Sequence, residues 1–117
     1  MIQGLSVTEI EGLPEGSTGW VAINESNRKK IGIDDKEADK PTILVFLKMQ
    51  DARYYSRLLH EHGPANRMVT IEQIGLLDCL TEIKEMGQMD VAVIGSKEAM
   101  KFFKGFTGTH WDYFESL

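Results

Sequence analysis

A single cysteine, Cys79, stands in the 117 residues of this chain. No internal disulfide can form, so the fold has to be held by packing, and a reducing compartment fits that chemistry. There are three prolines, no internal repeat and no low-complexity tract, which excludes a proline-rich spacer or a repeat array. Long apolar runs are also missing: the longest extends only from Ile43 to Leu47, far short of the roughly twenty residues that a membrane helix requires. The first twenty residues carry Glu9, Glu11 and Glu15 and no basic start, which does not suit a secretory leader. These absences together predict a cytoplasmic protein.

Clustered positive charge is scarce as well. The net charge is −5, and the one dense basic run, Arg28-Lys29-Lys30, is followed by Asp34, Asp35, Glu37 and Asp39. Non-specific binding to nucleic acid depends on Lys and Arg displacing counterions from phosphates. A nucleic-acid-binding role through Arg28, Lys29 and Lys30 is therefore the least favoured expectation. The letters of several catalytic devices are also lacking. There is no Gly-x-Ser-x-Gly turn for a hydrolase nucleophile. Neither glycine-rich phosphate-binding pattern occurs.

What is present is the composition of a soluble globular domain: 42% apolar and 26% charged residues. The length suits a single domain spanning residues 1–117. Partial alternation over Ile2–Ile10 predicts a strand, followed by a Gly-, Pro- and Ser-rich connection over Glu11–Gly19. Trp20–Asn24 reads as a second short strand. Ser26 or Asn27 can cap a turn or two of helix that Gly32 ends, and a polar loop closes at Pro41.

From Thr42 the pattern is stronger. Thr42–Met49 is apolar at consecutive positions, the mark of a strand covered on both faces. Asp51 is placed to cap a helix whose inner stripe is Ala52, Tyr55, Leu58, Leu59 and His62. Arg67–Glu72 alternates as a short strand. Thr70 and Gln73 then resemble a capping box for a helix carrying Ile71, Ile74, Leu77, Leu80, Ile83 and Met86, in which Gly75 costs about 1 kcal/mol relative to alanine. Asp90–Gly95 is a second apolar strand. Ser96 can cap the helix Lys97–Lys104, and Thr109 opens a last short helix with Trp111, Phe114 and Leu117 on one side.

Alternation of strand and helix from Thr42 onward favours parallel strands joined by right-handed crossovers. The expected fold is α/β (or α+β), with a mixed sheet of about four or five strands. Segments 43–47 and 91–94 should lie side by side in the middle of that sheet.

Candidate chemistry starts from Arg57–Arg67, which holds His60 and His62. Gly63 and Pro64 end a helix there. Two residues apart on a helix means a rotation of about 200°, so the two imidazoles diverge and do not share a metal. They serve instead the carbonyl end of the helix dipole. Cys79 lies mid-helix without a base or a helix N-terminus to activate it, and reads as a packed thiol. No metal site and no cofactor are expected.

Topology gathers one further set. If the strands are parallel, their carboxyl ends bring Lys48, Gln50, Asp51, Thr70, Glu72, Gly95, Ser96 and Lys97 to one edge, where α/β sheets bind ligands. Asp51, Thr70, Gly95, Ser96 and Lys97 are the candidate anion- or ligand-binding residues, with backbone N–H groups after Gly95 as the anion donors. A second set is the C-terminal aromatics Phe102, Phe103, Phe106, Trp111 and Phe114. Adjacent Phe102 and Phe103 point in different directions on a helix, so one is available to a partner.

The leading expectation is a small cytoplasmic interaction or accessory protein without catalytic activity. It would bind another protein or itself, as a homodimer, through the aromatic C-terminal region. The alternative is a small anion-binding or enzymatic α/β domain that uses the strand-end edge.

Overall fold

An unbroken apolar run needs cover on both faces, and Thr42–Phe46 (β3) has it: every one of its residues is buried. Leu44 and Phe46 point into one core, Ile43 and Val45 into another on the opposite side of the sheet. A computed structural model describes residues 2–34, 40–62, 68–87, 89–106 and 113–115. Around β3 it arranges β1 (Thr18–Asn24), β2 (Ile31–Ile33), β4 (Val69–Gly75), β5 (Asp90–Ile94) and β6 (Tyr113–Glu115), with helices α1 (Val7–Glu11), α2 (Met49–His62), α3 (Leu76–Met86) and α4 (Ser96–Gly105).

Among the described residues the sheet has six strands and forks at β3. On one side β5 pairs with β3 in parallel, from Thr42↔Asp90 to Phe46↔Ile94. On the other side two strands share the edge. β1 meets its end through Trp20↔Phe46, and β2 meets its start through Gly32↔Ile43 and Ile33↔Thr42, both antiparallel. β1 continues into a seven-pair antiparallel ladder with β4, and β2 into one with β6. The segments 43–47 and 91–94 do lie side by side. Among the described residues β5 is the last strand on its side, and residues 2–6 run beside it, with Leu5 N–H donating to the Val93 carbonyl at 2.7 Å. Gly4 is pressed there so closely that an added Cβ would stand 2.8 Å from the Val93 oxygen.

Helices cover both faces. α2 and α4 lie on one, where Ala52, Tyr55, Leu59 and Ala99 join Ala22, Ile31, Ile33, Leu44, Phe46 and Ile94. α3 lies on the other, where Leu76, Cys79 and Ile83 meet Val21, Ile23, Ile43, Val45 and Val93, with half-buried Leu5, Ile10 and Leu13 beside them. Among the described residues no helix is long and apolar enough to cross a membrane.

Several local expectations give way to longer-range pairing. Residues 2–6 are not a strand, and Val7–Glu11 is helical. Ser6 Oγ accepts from Glu9 N–H at 3.2 Å, and Glu9 Oε1 accepts from Ser6 N–H at 3.1 Å, a reciprocal cap. Ser26 and Asn27 start no helix. Asn24 and Asn27 use their side-chain oxygens to hold the Ser26 and Lys29 N–H groups in a turn, which competes with helix formation. β3 stops at Phe46, and Asp51 sits inside the first turn of α2 rather than at its cap. Of the inner stripe expected on α2, Ala52, Tyr55 and Leu59 are buried, whereas His62 is exposed.

The box at Thr70 does not form. Thr70 pairs with Ile23 inside β4, because a full ladder with β1 outweighs one side-chain cap, and helix begins only after Gly75. Ser96 is the first helical residue of α4 rather than its cap, a place taken by Gly95. Residues Tyr113–Glu115 form a strand rather than a helix. Glu115 fixes that strand by accepting from Asn24 Nδ2 at 2.7 Å and Asn27 Nδ2 at 2.9 Å. The helix stop at Gly63-Pro64 and the cap at Thr109 lie outside the described residues.

Candidate functional site

The strand-end edge exists. β4 is two antiparallel steps from β3, so β3, β4 and β5 run in the same direction and end on the same side. Lys48, Gln50, Asp51, Gly95, Ser96 and Lys97 are gathered there. Thr70 and Glu72 are not, because β4 runs on to Gly75 and leaves Thr70 near its opposite end. The backbone donors that an anion would use are already faced by carboxylates of this chain. A Cβ placed on Gly95 would stand 2.9 Å from Glu98 Oε2, and one on Gly75 3.2 Å from Asp78 Oδ2. Each acid lies in the first turn of its own helix and folds back over the positive end of the dipole. Asp51 Oδ2 is buried with no hydrogen-bond partner among the described residues, and as an oxygen it offers an anion no donor.

The aromatic set is largely used within the fold. Phe103 stacks on Phe46 at 5.9 Å and meets Tyr54 edge-on at 4.7 Å. Phe102 meets Tyr55 at 5.9 Å and Phe106 at 5.3 Å. These contacts seal α4 and α2 onto the sheet, and Phe102, Phe103 and Phe106 are all half-buried. Phe114 sits in β6 opposite Gly32, and Trp111 lies outside the described residues.

His60 and His62 are exposed in the last turn of α2. Cys79 is buried, and burial pushes its thiol up to about 11; Lys30 pulls in the opposite direction and Glu82 adds to the rise. The neutral thiol is a packing group.

A more apolar concave surface lies elsewhere among the described residues. A groove of about 710 Å³ runs between the N-terminal segment and α3, floored by β5. Leu5 and Ile10 form one wall, Leu77 and Leu80 the other, and Met89 and Val91 the base. Glu11, Lys40, Lys84 and Asp90 stand at its margin, none of them in an ion pair among the described residues. Val7 and Leu77, at 71% and 59% exposure, project at the rim.

The sequence did carry a signal for this groove. Leu76, Leu77, Cys79, Leu80 and Ile83 make the apolar stripe of α3 wider than one core contact requires. The other wall lies in Ile2–Ile10, whose partial alternation predicts a strand, so sequence does not place the two together. No family model, curated protein or solved structure matches this chain.

Proposed function

We propose that this chain is a protein-binding module, acting as a cytoplasmic accessory protein, and that its binding site is the apolar groove between α1 and α3. The observation that carries the reading is the combination of an apolar trough with apolar side chains standing outside it. A pocket for a small molecule hides its apolar lining around the ligand. Val7 and Leu77 sit on the rim, where only a ligand larger than the trough would cover them. Charges of both signs border the groove, which suits a polypeptide with apolar anchors and a mixed polar flank. The aromatic residues Phe102, Phe103 and Phe106 contribute by fixing α4 rather than by touching the partner.

The test is a peptide library displayed on phage and selected against the folded chain. Selected peptides are then titrated into isotope-labelled protein at about 500 mM salt, where exposed charges are screened. Amide shifts at Val7, Leu77, Leu80 and Lys84 are expected. Failure to select any peptide, or shifts confined to α2 and α4, would overturn the reading.

A further inference from the structure

Among the described residues the sheet ends in edges of unequal exposure. β6 is three residues long, and β5 has residues 2–6 beside it. β4 is seven residues long and stands at the end of the sheet, paired on one side only, with β1. Its ladder runs without a bulge from Thr18↔Gly75 to Asn24↔Val69. Edge strands are usually blunted by shortness, a proline, a lysine or a bulge. Val69–Gly75 has none of these.

Hydrogen bonds at the two ends of the ladder fix which backbone groups face outward. Glu25 N–H donates to the Met68 carbonyl at 2.8 Å, and Leu76 N–H to the Ser17 carbonyl at 3.0 Å. Bonded and unbonded pairs alternate in an antiparallel ladder, so Thr70, Glu72 and Ile74 turn their N–H and C=O groups to β1. Val69, Ile71 and Gln73 turn theirs away, and no described residue bonds to them there. The side chains are incompletely covered as well. Val69, Ile71 and Ile74 are only half-buried, and Met68 beside the strand is 55% exposed.

These outward groups complement themselves in one register. With Ile71 opposite Ile71 of another copy, Val69 faces Gln73 and Gln73 faces Val69, which gives about six backbone hydrogen bonds. The closer, unbonded pairs then set Thr70 against Glu72, and Met68 against Ile74. Centring the pair on Glu72 instead would place two carboxylates directly opposite, which is unfavourable. Centring it on Thr70 leaves Gln73 without a partner inside the strand. We propose that two copies of this chain pair antiparallel through β4, about a two-fold axis at Ile71, so that their sheets become one. The contact is isologous: each edge covers the other, and assembly stops at a dimer. It is independent of the apolar groove, whose floor, β5, is separated from β4 by β1 and β3.

Sedimentation equilibrium of the full chain is expected to show monomer and dimer only. Amide exchange at low and high protein concentration reads the register. Val69, Ile71 and Gln73 should slow as the dimer forms, while Thr70, Glu72 and Ile74, already bonded to β1, change little. Thr70→Glu sets a carboxylate opposite Glu72 at both symmetry-related places, and Thr70→Lys sets a cation there. The dissociation constant should rise with the first and fall with the second, by about two- to thirtyfold each. Gln73→Pro removes an outward N–H and none directed at β1, and should give a monomer that a circular dichroism melt shows to be folded. Should that variant fail to fold, the Thr70 pair decides alone, since its side chain is only half-buried. A chain monomeric at every concentration, an assembly larger than a dimer, or a folded Gln73→Pro chain that still dimerises would overturn the proposal. So would slowed exchange without the alternation along β4, or Thr70 variants that dissociate alike.

Discussion

Two adjacent leucines on α3 separate the packing that holds this fold together from the proposed binding surface. Leu76 is 1% exposed and Leu77 is 59% exposed. A single step of about 100° along the helix carries the first into the core with Val21, Val45 and Val93, and leaves the second on the groove wall. Leu76→Ala removes buried methyl groups from a site closed by the sheet, and its N–H is held by the Ser17 carbonyl at 3.0 Å, so the helix start has little freedom to collapse. The expected loss is about 2–5 kcal/mol, or a fall in melting temperature of about 3 °C or more per kcal/mol. Leu77→Ala removes a side chain that meets mostly water, and its effect on stability should stay within about 0.5 kcal/mol.

The order reverses for association. Covering the exposed part of Leu77 is worth about 1–2 kcal/mol at the usual value for apolar area, or about five- to thirtyfold in the dissociation constant. Urea unfolding followed by far-ultraviolet circular dichroism reads the first quantity, and peptide titration reads the second. Equal losses of stability in the two variants would mean that α3 is rotated from the orientation described. A Leu77→Ala chain that binds selected peptides as tightly as the wild type would remove the groove as the site.

Other consequences can be measured independently. A Cβ on Gly19 would stand 2.5 Å from Val45 Cγ1, so Gly19→Ala should cost about 1–3 kcal/mol; adding Val45→Ala should cost less than the sum of the two, with a coupling of about 1 kcal/mol, and strict additivity would deny the contact between β1 and β3. Burial holds the Cys79 thiol up at about 11 against 9.0 for the unperturbed group. The native state therefore keeps its proton where the unfolded chain has lost it, and stability falls as pH rises from about 9 to about 11; Cys79→Ala should flatten that stretch of the pH profile, and an unchanged slope would refute the assignment. Ser6→Ala breaks the reciprocal cap with Glu9 and should cost about 1 kcal/mol locally. Faster hydrogen exchange confined to Thr8–Gly12, with little change elsewhere, is the expected readout.

The parts of this fold legible in the sequence are those where one physical requirement acts alone. The consecutive apolar residues of β3 and β5 demand cover on both faces and nothing else, and their adjacency followed. α2 carries a clean inner stripe at Ala52, Tyr55 and Leu59. Reading failed where two local codes compete. Thr70 and Gln73 spell a helix cap, while Val69, Ile71 and Gln73 alternate as a strand. The ladder with β1 decides between them, and that partner is more than forty residues away. Tyr113–Glu115 has helical letters around it but is held by β2 and by two asparagines in a distant turn. Ser6 and Glu9 were the reverse: a short-range cap prevailed over weak alternation because residues 2–6 meet β5 at its edge without extending the sheet.

Charge was the least legible quantity, for a related reason. A net value of −5 suggests a uniformly acidic surface, and a scan for basic runs finds only Arg28–Lys30. The exposed cations of α4 are never adjacent in sequence. Spacings of three and four scatter Lys97, Lys101 and Lys104 among phenylalanines, and the helix then collects them on one crest. The same periodicity that buries Ala99 therefore builds the basic face, and the acidic face of α3 arises likewise as the remainder left when Leu76, Cys79 and Ile83 turn inward. Segregated charge on the two outer layers is thus a by-product of covering the sheet on both sides.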